Sequence, residues 1–167
     1  MQIKSRLDEI WSYSAVLEAH GYRPAAKVLE VKREAADPDL AGSLGLSSGD
    51  ELVVVRKLFL ENRKPVIFTG NYIPAALIEL PFKDSDLELP VFDFLSEYAG
   101  EHLSYYLTEI VPITATESLA EVLKVPPETA VLSLEEVGYN EENQPILKAY
   151  SYFRDDLLRL GLIRRKV

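Results

Sequence analysis

Residues 40–72 read LAGSLGLSSGDELVVVRKLFLENRKPVIFTGNY, and residues 119–152 read LAEVLKVPPETAVLSLEEVGYNEENQPILKAYSY. A shift of 79 residues carries the first stretch, together with the residues just before it, onto the second. Four apolar residues are identical under this shift: Ala36, Leu40, Ala41 and Leu44 fall on Ala115, Leu119, Ala120 and Leu123. Beyond the first hairpin turn the shift becomes 80, so that Pro65 falls on Pro145. Two amphipathic stretches can align loosely by chance. Here the apolar pattern stays in register over the whole stretch, with a single change of shift from 79 to 80, and this indicates an internal duplication.

Each copy of this pattern predicts a helix followed by a β-hairpin. The runs 52–60 and 66–73 are rich in β-branched and large apolar residues, which is typical of paired strands, and they flank a polar turn at 61–64. One such unit cannot bury both faces of its sheet, whereas two units related by a pseudo-twofold axis can. Strands at 25–35 and 103–113 raise the total to six. The sequence therefore predicts an α+β fold with a mainly antiparallel six-stranded sheet, flanking helices and internally duplicated helix–hairpin units.

The other elements follow from periodicity and from glycines. Apolar residues at three- and four-residue steps predict a helix over 3–19, which Gly21 ends. Residues 83–88 indicate a polar surface loop, and residues 91–98 predict a short helix. No segment has the composition of an interdomain linker, so we expect residues 1–167 to form a single domain.

The composition excludes several kinds of site. The 18 Lys and Arg residues stand against 27 Asp and Glu, and this net charge of −9 argues against a nucleic-acid surface on these residues. The chain has no cysteine and two histidines far apart in sequence, so we expect no metal and no cofactor. No apolar run is long enough to span a membrane, and the expected compartment is cytoplasmic.

No pattern in the sequence points to catalysis. His20 lies at a predicted helix end and His102 at the entry to a predicted strand, where histidines usually have structural roles. Glu135 and Glu136 are neighbours on a predicted strand, so at most one of them can face a common site. We assign no catalytic residue.

Two cations, Arg56 and Lys57, interrupt a strand that is otherwise apolar. Because neighbours in a strand face opposite sides of the sheet, one of them must face inward or lie at an edge. Two interpretations stay open: a charge that protects an edge strand, or a cation that faces a ligand in a cavity.

Several segments, in one order and spacing, resemble a known family. They are RLDEIWSYSAVLEAHGYRPAAKVLEV at 6–31, the two repeated stretches, and PVFDFLSEYAG at 90–100. Over most of its length the chain resembles the UTRA ligand-sensing domain of GntR-type transcription regulators of the HutC group. The family fold resembles chorismate lyase, an antiparallel sheet with flanking helices and internal duplication. The resemblance thus implies the same architecture as the repeat.

The resemblance also implies a function without catalysis. A UTRA domain binds a small-molecule effector and changes the geometry of a homodimer, whose winged helix-turn-helix domains lie N-terminal to it and bind DNA. No recognition-helix segment precedes residue 3. We therefore expect contact with DNA only through an N-terminal domain absent from this chain, and no contact with a membrane.

Family members that sense sugar phosphates bind them through polar residues on the first hairpin, the mid-chain helix and the last strand. Aligned on Pro65 and on FRDD at 153–156, these ligand-binding positions fall at Lys57, Phe59, Thr69, Pro90, Phe92, Leu147 and Phe153. Most are apolar here, so a buried phosphate would lack charge-assisted donors. We expect instead a partly apolar effector with one anionic group that meets Lys57, in a pocket between the two copies.

Two alternatives stay open. A chorismate lyase-like enzyme would need a buried arginine and a carboxylate at its substrate, which the apolar replacements disfavour. A domain that only dimerises would have a filled pocket and bind no metabolite.

Overall fold

The computed structural model describes residues 7–154 and 156–167, which form an α+β fold. Its strands are β1 (Pro24–Ala35), β2 (Glu51–Glu61), β3 (Lys64–Pro74), β4 (Leu103–Thr114), β5 (Ala130–Asn140) and β6 (Pro145–Phe153). Its helices are α1 (Tyr13–Ala19), α2 (Pro38–Leu44), α3 (Val91–Ala99) and α4 (Glu117–Leu123), with short 3-10 helices at Ala75–Leu77 and Asp84–Glu88. All strand pairs are antiparallel, in the order β1-β2-β3-β6-β5-β4. The predicted fold class is confirmed.

The sheet has the symmetry that the sequence repeat requires. The innermost strands of the two hairpins, β3 and β6, pair at the centre, and Gly70 lies opposite Tyr150 there. The shift of 80 residues exchanges these two positions, so a pseudo-twofold axis passes between them. Both bounds of β1 map onto those of β4 with the shift of 79. The repeated unit therefore includes the strand before each helix, and its origin by duplication stays a prediction.

The helix caps are repeated as closely as the strands. The Asp37 carboxylate accepts a hydrogen bond from the Leu40 N–H at 2.8 Å, and the Thr116 hydroxyl accepts one from the Leu119 N–H at 3.3 Å. Each of these two helices ends at a residue with positive φ, Gly45 in one and Lys124 in the other. Because the same local signals occur in both copies, α2 and α4 each span seven residues.

The two faces of the sheet carry different helices. On one face, α2 packs on Leu52 and Val54, and α4 packs on Leu58. On the other face, α3 packs on Val53 and Val55, and α1 packs around Phe59. Because side chains alternate along a strand, the odd-numbered residues of β2 all face the side of α1 and α3.

Two predicted elements differ from the structure. The helix predicted over 3–19 begins only at Tyr13, because the Ser12 hydroxyl accepts a hydrogen bond from the Ala15 N–H at 3.2 Å and caps the helix there. Residues 3–6 of that prediction lie outside the described residues. The loop predicted over 83–88 contains a 3-10 helix whose Leu87 is 2% exposed and packs in the core below α3.

Candidate ligand-binding site

A cavity of about 650 Å³ lies between the sheet and the elements on the side of α1 and α3. Odd-numbered residues of β2, β3 and β6 and even-numbered residues of β5 form its floor: Lys57, Phe59, Thr69, Asn71, Ala149, Ser151, Phe153, Leu134 and Glu136. The segment 7–14 forms one wall, and the start of α3 forms another. Strands of both halves thus contribute to one cavity of a size that is ordinary for small-molecule sites.

Six of the seven ligand-binding residues suggested by the family resemblance line this cavity. They are Lys57, Phe59, Thr69, Pro90, Phe92 and Phe153. Leu147 does not line it: the residue is fully buried in the core with Phe94 and Leu95 of α3. Its strand position faces the same side of the sheet, but α3 covers it.

Lys57 is a buried cation on the cavity floor. Its side chain is 3% exposed, and its ammonium group donates a hydrogen bond to the carbonyl of Leu89. Burial lowers the pKa of Lys57 to about 8, and the negative charge of Glu88 opposes this shift. The neighbouring Arg56 faces the other side, where its guanidinium lies 2.6 Å from the carboxylate of Glu30. Because β2 lies between β1 and β3, the edge-strand interpretation of these cations is wrong.

Glu136 is a buried carboxylate on the same floor, which sequence reasoning did not assign to the site. It is 9% exposed, and the Thr108 hydroxyl donates a hydrogen bond to it at 2.6 Å. Burial raises its pKa, although the hydrogen bond from Thr108 partly offsets the rise. The available signal was the pair Glu135–Glu136 on one strand, of which only Glu136 faces the cavity.

Tyr13 connects α1 to the floor across the cavity. Its hydroxyl donates a hydrogen bond to the Ser151 hydroxyl at 2.8 Å. Its ring packs edge-on against Phe59 and Phe153, each with a centroid distance of 5.5 Å. Burial raises the pKa of Tyr13, and the charge of Glu136 raises it further. Tyr13 therefore anchors the N-terminal wall of the cavity to both halves of the sheet.

The cavity is more polar than the sequence predicted. Five of its lining residues are polar and buried: Lys57, Thr69, Asn71, Glu136 and Ser151. The Thr69 hydroxyl is buried and has no hydrogen-bond partner in the described part of the chain. The expectation of an apolar lining with one cation is corrected, because strand positions outside the family's contact pattern supply the additional polar groups.

The site contains no histidine. His20 caps the end of α1, with its Nδ1 atom 2.9 Å from the carbonyl of Val16. Within 7–154 and 156–167, no three His, Asp or Glu side chains cluster in a way that could hold a metal ion. In the same residues, every helix is too short or too polar to cross a membrane.

Comparison with known proteins identifies the family. The model of the UTRA domain matches residues 19–159. The chain belongs to the UTRA domain family. The UTRA domain is a regulatory, effector-binding domain and not an enzyme, which argues against the lyase alternative.

One curated relative of this UTRA domain is the histidine utilization repressor of Pseudomonas aeruginosa. The two proteins are 26% identical over 134 residues, which cover 79% of this chain and 48% of the repressor. The chain thus spans about half the length of that relative.

Solved structures share the fold. PhnF from Mycobacterium smegmatis superposes with a TM-score of 0.85 at 19% identity, over 98% of this chain and 72% of PhnF. The ligand-binding domain of a GntR-family transcriptional regulator from Bordetella bronchiseptica superposes with a TM-score of 0.78 at 17% identity, over 85% of this chain and 92% of that domain. The UTRA sheet with its flanking helices is therefore conserved at low sequence identity.

Proposed function

We propose that this UTRA domain senses a small molecule within a cytoplasmic GntR/HutC-type transcription regulator, as a homodimer. It would control DNA binding by an N-terminal domain outside this chain. The observation that carries the proposal is the cavity of about 650 Å³ with buried polar groups on its floor. An unfilled cavity of this kind does not favour the alternative of a domain that only dimerises.

The position of the cavity supports a sensing mechanism. Residues 7–14 form one of its walls, and the proposed DNA-binding domain would join the chain on their N-terminal side. An effector that contacts this wall binds one arrangement of the segment more tightly than others. Its differential affinity then shifts the dimer toward that arrangement and changes the affinity for DNA by the same coupling.

The lining supports an effector that is partly apolar and carries one anionic group. Phe59, Phe92 and Phe153 offer aromatic surface, and Lys57 offers a buried positive charge. The curated relative is named for histidine utilization, so L-histidine belongs among the first probes.

A thermal-shift screen of metabolites, with L-histidine included, tests the proposal. A ligand well above its dissociation constant raises the melting temperature of the wild type, and Lys57→Ala or Phe92→Ala reduces the shift. Arg56→Ala, which removes the neighbouring cation on the opposite face, is the matched control and should keep the full shift. A shift that both cavity variants retain contradicts the site. A library in which no metabolite shifts the melting temperature contradicts the sensing function, and sedimentation of the purified domain as a monomer contradicts the homodimer.

A further inference from the structure

The cavity floor holds two opposite charges that do not pair with each other. Lys57 and Glu136 are both nearly buried, and neither forms an ion pair within 4.0 Å among the described residues. Removing a charge from water without a compensating partner costs several kcal/mol. Each group has one hydrogen bond within the protein but no ion-pair partner among the described residues, and a ligand can supply the opposite charge to both.

The strands that carry Lys57 and Glu136 are not neighbours in the sheet. Lys57 lies on β2 and Glu136 on β5, with β3 and β6 between them. Three strand spacings separate the two strands by about 14 Å, and an offset of two residues along the strands adds to the distance between the two backbones. Lys57 pairs with Thr69 in one row of the sheet, and Glu136 pairs with Ala149 in the adjacent row. Both residues line the cavity, so a molecule with a charged group at each end can lie between them.

Lys57 and the start of α3 both offer positive charge to this end of the cavity, where Glu88 is a nearby negative charge. Its ammonium group contacts the carbonyl of Leu89, directly before the first turn of α3. Pro90 occupies the N-cap position without a side-chain cap, and Val91 and Phe92 follow it on the cavity wall. The first N–H groups of a helix have no partner within the helix and favour an anion. The cation and the helix end thus attract the same negative group.

At the opposite end of the cavity, the carboxylate of Glu136 offers hydrogen-bond acceptor positions to a ligand. Thr108 donates to the carboxylate, and the charge of Glu136 raises the pKa values of Tyr13 and Tyr106, which both line the cavity nearby. Neither tyrosine donates a hydrogen bond to Glu136 in the described part of the chain. A carboxylate has about four acceptor positions, so several remain for a ligand that donates.

We infer, on the basis of the proposed function, that the cavity binds a dipolar small molecule. Its anionic group meets Lys57 and the start of α3, its cationic or hydrogen-bond-donating group meets Glu136, and its apolar middle packs on the aromatic floor. A ligand with an anionic group alone would leave Glu136 uncompensated and would be repelled by it.

A set of three matched probes tests this class of ligand. 4-(Aminomethyl)benzoate carries both charges on one ring, 4-methylbenzoate carries only the anion, and 4-methylbenzylamine carries only the cation. Binding of each is measured by isothermal titration calorimetry to the wild type, Lys57→Met and Glu136→Gln. Arg56→Met and Glu135→Gln are the matched controls, since each changes the neighbouring charge on the opposite face of the same strand.

The dipolar probe should bind the wild type and both controls at least about tenfold more tightly than either single-charge probe. Glu136→Gln should reduce its affinity to that of 4-methylbenzoate, and Lys57→Met should reduce it to that of 4-methylbenzylamine. If 4-methylbenzoate binds as tightly as the dipolar probe and Glu136→Gln changes nothing, the dipolar class is wrong and the sensing function stands. Failure of all three probes to bind at about 10 mM also overturns the dipolar class. The metabolite screen decides the sensing function separately.

Discussion

Thr69 lies directly opposite Lys57 in the β2–β3 pair, and its buried hydroxyl has no hydrogen-bond partner among the residues that the structure describes. A buried polar group without a partner costs free energy that an apolar group of the same shape does not. The hydroxyl of Thr69 therefore lowers the stability of the domain, and a substitution that removes it and keeps the shape tests this cost.

Thr69→Val should leave the free energy of unfolding unchanged or raise it by about 1 kcal/mol, because it removes an unsatisfied hydroxyl and keeps the shape. Urea unfolding measures this free energy. Thr108→Val is the control of opposite sign: it removes the donor to Glu136 and should lower the free energy of unfolding by about 1–3 kcal/mol. Equal destabilisation by both variants would contradict this account.

The lowered pKa of Lys57 predicts a pH dependence of stability. An amino group with a pKa of about 8 in the folded state and the ordinary value of 10.5 in the unfolded state opposes folding wherever it is charged. The penalty is complete below pH 8 and disappears as the pH rises toward 10.5. The stability of the wild type relative to Lys57→Met should therefore rise over this range, by up to about 3 kcal/mol.

Urea unfolding of both proteins at several pH values between 7 and 10.5 measures this difference. Titrating tyrosines contribute to both proteins alike, so the difference between them isolates Lys57. The pair Arg56→Met and wild type provides the control, in which the difference should stay constant over the same range. A constant difference for Lys57→Met as well would show that the ammonium group is not buried.

Gly138→Ala should lower stability and move a wall of the cavity. A Cβ atom at this position would lie 2.8 Å from Cδ1 of Leu103 and 3.1 Å from Cε1 of Tyr106, and the Tyr106 ring lines the cavity. Because Cδ1 of Leu103 ends a flexible side chain that can shift, the expected cost is at the low end for overpacking, about 1 kcal/mol. Gly70→Ala is the matched strand glycine, whose nearest contact would be an ordinary 3.7 Å to Tyr72. Thermal unfolding should rank Gly138→Ala below Gly70→Ala, and the reverse order would contradict the packing.

Tyr13→Phe should loosen the N-terminal wall and leave the sheet unchanged. The substitution removes the hydrogen bond to Ser151 and keeps the contacts of the ring with Phe59 and Phe153. Hydrogen exchange of residues 7–16 should become faster, while exchange in β3 and β6 stays at the wild-type rate. The free energy of unfolding should fall by about 1 kcal/mol.

Tyr22→Phe is the comparison for this experiment, because it removes a hydrogen bond to the carbonyl of Leu157 away from the cavity. It should leave exchange of residues 7–12 unchanged. Faster exchange of that segment in both variants would show that Tyr13 is not its specific anchor.

Much of the fold could be predicted because its signals are local or repeated. The caps at Asp37 and Thr116 lie in the sequence itself, and the shift of 79 residues indicates the same helix and hairpin twice. Strand alternation is enough to place Lys57 and Phe59 on one face of the sheet. The helix predicted over 3–19 was too long, because periodicity in Leu7 and Ile10 does not outweigh the cap at Ser12.

The sequence by itself determined the two halves, their strands and the sharing of faces within each strand. The tertiary structure alone decided which face encloses the cavity, because that depends on where α1 and α3 pack. In the tertiary structure Glu136 is a buried group of the site and Leu147 lies beneath α3, although the same alternation places both on this side of the sheet. Alternation relates neighbours in a strand, whereas burial beside a cavity depends on segments far away in the chain.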